Sequence, residues 1–366
     1  MKYDFLIVGA GMFGSTFARM ATDDGYNCLV IDKRNHLGGN CYSENINGIN
    51  THRYGPHIFH TNDKEIWQFI NRFAEFNNYI HRVKARVNNE IYSFPINLFT
   101  LNQLWGVTNP KAAKDYLASV RVDHASPRNL EEWMVSQVGW DIYSKFIRGY
   151  TMKQWNKHPT ELPASIIKRL PIRFNFDDNY FNDSYQGVPI GGYGNLFVNM
   201  LEGIDTKLEA NYLTDRDRYD TMAHKVIYTG PVDEFFDYEF GELEWRSLRF
   251  ARKEFDNFDF QGTAIVNYPS EHVQYTRIVE YKYFDNPNAK NTVITYEYPQ
   301  DYEVGLEKFY PINTEENQDR FSKYKSIVNN KYIFGGRLAE YKYYDMHQIV
   351  ASAIKKYKTC LNIEQK

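Results

Sequence analysis

The residues best placed to do chemistry stand at the start of the chain. Gly9, Gly11 and Gly14 form a G-x-G-x-x-G with Phe13 inside it. The apolar run Tyr3 to Val8 precedes it and reads as a buried strand. Phe17, Met20 and Ala21 follow at helical spacing until Gly25. A second strand, Cys28 to Ile31, ends at Asp32. Strand, glycine turn, helix, strand and acid, in that order, is the context in which this motif holds a dinucleotide. The glycines allow a tight turn and let backbone approach a pyrophosphate. The helix N-terminus offers N–H groups and a positive dipole end to the phosphates. Asp32 can accept a ribose hydroxyl. A tight turn without a ligand is the competing reading.

Beyond Asp32 come Lys33, Arg34, Asn35, His36, Leu37, Gly38, Gly39 and Asn40. A second glycine pair just past the acid resembles the two-dinucleotide-binding-domain flavoproteins, which implies an extended FAD rather than NAD; a plain surface turn is the alternative. Such flavoproteins complete the cofactor site with a late segment. Here Lys331 to Phe334 reads as a strand, followed by Gly335, Gly336 and Arg337. Asp345 then serves as N-cap to a helix whose stripe is Met346, Ile349, Val350, Ala353, Ile354 and Tyr357. Val226 to Gly230 reads as one further strand of this domain, so both chain ends build it.

The middle of the chain must position whatever the cofactor meets. From about Asn97 to Lys168 the pattern is helical, with Asn109-Pro110 as N-cap and first-turn proline. Stripes run through Leu130, Trp133, Met134 and Val138, then Ile142, Tyr143, Phe146, Ile147 and Tyr150. Thr263–Tyr268, Tyr275–Tyr281 and Thr292–Tyr298 alternate like strands. Arg277 shares a face with Val279 and Tyr281, and a cation there suggests a bound anion; an arginine reaching to the sheet rim is the alternative. The expected architecture is α/β: a discontinuous FAD-binding Rossmann-like domain (1–80, 195–232 and 330–366), a helical domain (97–168) and an antiparallel β-sheet, substrate-binding domain (81–96, 169–194 and 233–329).

Composition narrows the classes. The chain has 366 residues, with 43 basic and 46 acidic side chains and a net charge of −3, so no charge excess points to nucleic acid or an anionic membrane. Three cysteines without short spacing make neither a disulfide framework nor a zinc site, and no metal is expected. No run approaches the roughly 20 apolar residues of a membrane span. Asp4 interrupts the first apolar stretch, unlike a signal peptide. A cytoplasmic protein is expected. With 30 Tyr, 25 Phe and 6 Trp, many aromatic rings should sit half-wet, in strands or in pocket walls.

Five ordered stretches resemble one family. They are Gly55 to Thr61 (GPHIFHT), Gly149 to Trp155 (GYTMKQW), Ile167 to Phe174 (IKRLPIRF), Tyr275 to Glu280 (YTRIVE) and Phe334 to Met346 (FGGRLAEYKYYDM). Together they are similar to bacterial UDP-galactopyranose mutase, from residue 3 to about 357. The resemblance implies redox-neutral interconversion of UDP-galactopyranose and UDP-galactofuranose. In that family reduced FAD is required, flavin N5 attacks the anomeric carbon and UDP is the leaving group. It implies a homodimer and an external reductant such as NAD(P)H. By similarity His57 and Ile58 lie beside the flavin and His60 near the sugar. Arg169, on a mobile loop from Pro163 to Asp183, and Arg277 take the diphosphate. Tyr150, Thr151 and Trp155 wall the uridine side. Tyr180, Tyr310, Tyr343 and Asn267 reach phosphate or nucleotide. Arg337, Asp345 and Met346 lie against the flavin, with Arg246 near its edge, and Arg173 is expected to be merely solvated.

Three positions depart from the family pattern. His81, at the nucleotide, stands where some members carry Asn, Met152 where some carry Glu, and Trp245 where Tyr is common. They leave the choice among UDP-galactose, UDP-N-acetylgalactosamine and dTDP-fucose open. The alternatives to a mutase are a conventional FAD-dependent oxidoreductase of the amine oxidase type and a catalytically inactive FAD-containing scaffold.

Overall fold

A computed structural model describes residues 1–167 and 171–364. The chain divides into two compact units. The first is Met1–Tyr79, Asp183–Trp245 and Tyr310–Lys366, and the second is Ile80–Asn182 and Arg246–Phe309.

The first unit is built on a five-stranded parallel sheet in the order Tyr332–Phe334, Ala223–Tyr228, Tyr3–Val8, Cys28–Ile31, Asp205–Lys207. The inner strands Tyr3–Val8 and Cys28–Ile31 are nearly continuous apolar runs, as strands covered on both faces tend to be, and Ala223–Tyr228 becomes one from Val226. Val8 lies level with Ile31 on one side and Tyr228 on the other, and Tyr228 with Phe334. The ends of these strands therefore come together, and the turns that follow them converge. Helix Met12–Asp23 buries Phe13, Phe17, Ala18 and Ala21. The last helix, Met346–Glu364, buries Val350, Ala353 and Tyr357 as its stripe predicts. The two helices touch through Phe17 and Tyr357, edge to face at 5.4 Å.

The second unit carries a mixed sheet ordered Trp245–Phe255, Thr292–Asp301, Arg277–Glu280, Ile265–Asn267, Val83–Val87, Glu90–Phe94. Its neighbours are antiparallel except Ile265–Asn267 with Val83–Val87. Helices Leu98–Trp105, Pro110–Val120 and Leu130–Ile142 each begin at an asparagine. Asn97, Asn109 and Asn129 accept from the backbone N–H of Phe99, Ala112 and Glu132 at 2.8, 3.0 and 2.9 Å, occupying amides that a helix start leaves open.

The domain boundaries differ from those expected. The helices and most of the sheet share one unit, because the helical stripes need an apolar partner and find it on the strands. Phe146 packs edge-on against Tyr92 at 5.0 Å and tilts toward Phe94 at 6.4 Å. Residues 183–194, 233–245 and 310–329, expected with the sheet, belong to the first unit. Among the described residues, no helix is long and apolar enough to cross a membrane.

Candidate active site

In the first unit the two glycine turns meet. Gly38 donates its N–H to the Ala10 carbonyl at 2.8 Å, and Gly11 and Gly38 form a bridge. Asp32, buried, ties them: its carboxylate accepts from Ala10 N–H at 2.8 Å and from Arg34 N–H at 2.9 Å. The helix that starts at Met12 has no side-chain cap and no acidic residue in its first turn, so its open amides and dipole favour an anion. The glycines hold this turn together. A Cβ on Gly14 would fall on the Gly9 carbonyl oxygen, and one on Gly335 would enter the Phe13 ring. Lys33 is exposed, Asn40 accepts from Arg34 Nη2 at 2.8 Å, and Ile58 is buried.

The late segment sits over the same turns. Gly336 adopts φ +85° and its backbone lies against Phe13, a conformation that favours glycine. Arg337 donates to the Tyr344 carbonyl at 2.7 Å and lies 5.1 Å from the Tyr343 ring, which stacks with Tyr310 at 5.7 Å. The Asp345 carbonyl accepts from Ile349 N–H, and its N–H bonds the Gln348 side chain, so it opens the last helix as expected. Met346 is buried. An uncapped helix start, two abutting glycine turns and a buried acid at the strand end together fit an FAD. Among the described residues, no group of three or more His, Cys, Asp or Glu could hold a metal ion.

The two histidines of the GPHIFHT stretch are held by neighbours that the sequence does not advertise. His57 donates its backbone N–H to His52 Nδ1 at 2.9 Å, and its ring Nδ1 lies 2.8 Å from the Gly55 carbonyl. His52 is fully enclosed, and burial, with a smaller push from His57, lowers its pKa to about 3. It is therefore a neutral imidazole whose Nδ1 accepts, which fixes its tautomer. His60 lies on a short strand, Phe59–Thr61, paired with Tyr185–Gly187. Its Nδ1 meets Asp183 at 2.7 Å, and Asn62 holds the other oxygen of that carboxylate at 2.8 Å. The His60 ring also meets His347 at 4.9 Å, edge to face. Burial first, and His60 second, lower the His347 pKa.

In the second unit Asn267, Arg277 and Glu297 stand directly opposite one another on three adjacent strands and so share a face. Arg277 Nε contacts the Glu297 carboxylate at 2.9 Å, with Glu297 only 1% exposed. The anion suggested beside Arg277 thus includes a carboxylate of the chain itself, which fixes the guanidinium on the sheet. Tyr180 donates its N–H to the His81 carbonyl at 2.8 Å, and their rings lie 5.1 Å apart. Helix Gly149–Trp155 carries Tyr150, Thr151 and Trp155.

Arg169 lies outside the described residues. Arg173 is not a solvated side chain: it is 10% exposed, pairs with Asp177 at 3.4 Å and hydrogen-bonds Asn179 and Asn182. Asp178 pairs with Arg82 at 2.9 Å and Lys84 at 3.2 Å, so the described part of the expected loop is tied to its neighbours. Arg246, expected near a flavin edge, is 2% exposed and bonded to residues of the second unit. It pairs with Asp301 and donates to the carbonyls of Gln154 and Lys153 at 2.9 and 3.3 Å. These carbonyls end helix Gly149–Trp155, where a cation is favoured, so Arg246 braces that helix on the sheet.

Comparison with known proteins places the chain. The family model for UDP-galactopyranose mutase matches residues 145–343, and one for an NAD(P)-binding Rossmann-like domain matches 7–73. A Klebsiella pneumoniae protein named "Probable UDP-galactopyranose mutase" is 40% identical over 362 residues, covering 96% of this chain and 93% of the relative. A dTDP-fucopyranose mutase of Escherichia coli is 38% identical over 363 residues, covering 96% of each. UDP-galactopyranose mutase of Mycoplasma genitalium is 31% identical, covering 99% and 95%. Among solved structures, a reduced UDP-galactopyranose mutase shares the fold with a TM-score of 0.80 at 15% identity, covering 100% of this chain and 95% of its own. A putrescine oxidase shares it at 0.59 and 12%, covering all of both chains. The cradle and these matches identify the cofactor as FAD, and the chain belongs to the UDP-galactopyranose mutase family.

Proposed function

We propose that the protein interconverts UDP-galactopyranose and UDP-galactofuranose without net redox change. The observation that carries this is the alignment over nearly the whole chain with sugar-nucleotide mutases. When bound and reduced, FAD supplies a nucleophilic ring nitrogen for the anomeric carbon. The chain's own residues do the rest. Asp32 and the amides at Met12 orient the dinucleotide. His57, set by His52, and Ile58, together with Arg337, Asp345 and Met346, line the flavin, while His60, oriented by Asp183, serves the sugar. Arg169 and Arg277 stabilise the charge that grows on the departing diphosphate. Tyr180, Tyr310, Tyr343, Asn267 and His81 bind phosphate and nucleotide, and Tyr150, Thr151 and Trp155 exclude water. An external reductant such as NAD(P)H, a homodimer and a cytoplasmic setting complete the reading.

The test is turnover of UDP-galactofuranose by purified protein before and after dithionite. Oxidised protein should be silent, and reduced protein should release UDP-galactopyranose with no oxidised sugar. Arg277→Ala and Arg169→Ala should each lose on the order of 10²-fold in turnover, as for loss of one transition-state donor, with bound flavin retained. Equal rates from oxidised and reduced protein would overturn the reading. The similar identity to a dTDP-fucopyranose mutase motivates a parallel assay with dTDP-fucopyranose, and faster turnover of that sugar would move the substrate while keeping the reaction.

A further inference from the structure

Within the second unit, the Lys153 ammonium sits inside a cage of backbone oxygens. Its Nζ lies 2.5 Å from the carbonyl of Tyr268, 3.0 Å from Ser270, 2.9 Å from Val273 and 3.0 Å from Tyr275. These four residues make the connection between strands Ile265–Asn267 and Arg277–Glu280. Lys153 belongs to helix Gly149–Trp155. An ammonium has three donors and no acceptor, so four carbonyls turned inward around it satisfy it fully. Burial, opposed by a smaller pull from Glu271, brings its pKa down to about 8, and carbonyl acceptors around an ammonium favour its charged form.

A second observation lies one helical turn earlier. Gly149 and Lys153 are four apart and share a helix face. A Cβ on Gly149 would run into the Pro269 carbonyl and the Glu271 side chain. Arg148 pairs with Glu271 at 3.2 Å. The helix thus approaches the connection at backbone distance at Gly149 and is pinned to it at Lys153. Its other end is held by Arg246 and by Asn156, which donates to Asp301 at 2.9 Å.

What this cage joins is specific. The helix carries Tyr150, Thr151 and Trp155, and the connection is flanked by Asn267 and Arg277. We propose that Lys153 is a positioning residue that holds the uridine-wall helix in register with the Asn267–Arg277 strand pair, so that one nucleotide meets both. Lys153 touches no substrate itself. It acts through the backbone of 268–275. The proposal rests on the nucleotide reading above.

The test measures UDP affinity by calorimetry on the flavin-loaded, full-length protein, with flavin content and thermal melting as checks. Lys153→Met keeps the length and apolar stem but removes the charge and donors. Gly149→Ala pushes the same helix off the same turn. Each should weaken UDP binding roughly tenfold, mid-range for residues in one network, with flavin content and absorption spectrum unchanged. The double variant should lose less than the product of the two, because both act through one interface. If wild-type protein does not bind UDP, the nucleotide reading fails first. If it does, and both variants bind UDP like wild type, or the double variant is strictly multiplicative, the positioning role is overturned. If both variants lose the fold, Lys153 is a stability residue and the proposal falls equally.

Discussion

At the scale of single residues, His52 offers the sharpest expectation. Its pKa is about 3 in the folded chain because burial disfavours the charged ring, against about 6.5 when exposed. Between those values the unfolded chain binds a proton that the folded chain does not. Stability from this residue is therefore complete above about pH 6.5 and is lost as pH falls toward 3, at roughly 1.4 kcal/mol per unit. His52→Gln keeps an acceptor for the His57 N–H and cannot titrate. Urea unfolding at pH 7.5 and pH 5 should show the wild type losing roughly 2 kcal/mol more than the variant. Equal losses would mean that His52 is not held neutral. The sequence marks His57 and His60 through their motif, but nothing in local spacing says that His52 accepts from one or that Asp183 meets the other. Such partners depend on where the chain returns. The same holds for Glu297: Arg277 is legible as a cation on a strand, while its carboxylate appears only when the register sets 277 against 297.

At the scale of elements, the strand–turn–helix at the N-terminus was legible because every part of it is local: an apolar run, glycines, a 3.6-residue stripe and an acid. The last helix was legible for the same reason. The helix Gly149–Trp155 was recognisable, but its fixings at Lys153 and Arg246 were not, since each spans many residues of sequence. In segment 173–182 the Asn and Asp residues read as a loose loop, while their partners Arg173, Arg82 and Lys84 were not legible because the pairings depend on where the chain returns. Gly14 tests how strict the legible part is. Inside a helix, Gly→Ala ordinarily stabilises by about 0.5–1 kcal/mol. At Gly14 the added carbon would fall on the Gly9 carbonyl and press on Ile7, so helix and strand must part where the dinucleotide is held. Gly14→Ala should purify with little flavin, read as the ratio of flavin to protein absorbance. Gly25→Ala, where nothing lies within 4 Å but φ is +90°, should cost some stability and keep its flavin. Full flavin in Gly14→Ala would show that the turn tolerates separation.

At the scale of the whole molecule, the first unit is assembled from three separated stretches of chain. Its cradle draws on the first stretch through Gly9 to Asn40 and on the last through Gly335 to Met346. A ligand that binds this assembled unit and not the unfolded chain stabilises by mass action, about 2.7 kcal/mol at a free concentration a hundred times its Kd. For a unit of this size each kcal/mol moves the melting temperature by roughly 2–4 °C. Stripping the flavin should therefore lower the melting temperature, and added FAD should restore it by roughly 5–10 °C. The matching dinucleotide-binding model is named for NAD(P), so NAD⁺ is the informative competitor. NAD⁺ lacks the flavin ring that the late segment is proposed to meet, and at the same concentration it should give a smaller shift or none. The late segment should matter in the same measurement. Gly336 stands at φ +85° beside Phe13, and Gly336→Val would strain that contact and reduce the FAD shift. Recovery by NAD⁺ with no response to FAD would assign the cradle to a nicotinamide cofactor, and with it the mutase reading would lose its chemistry.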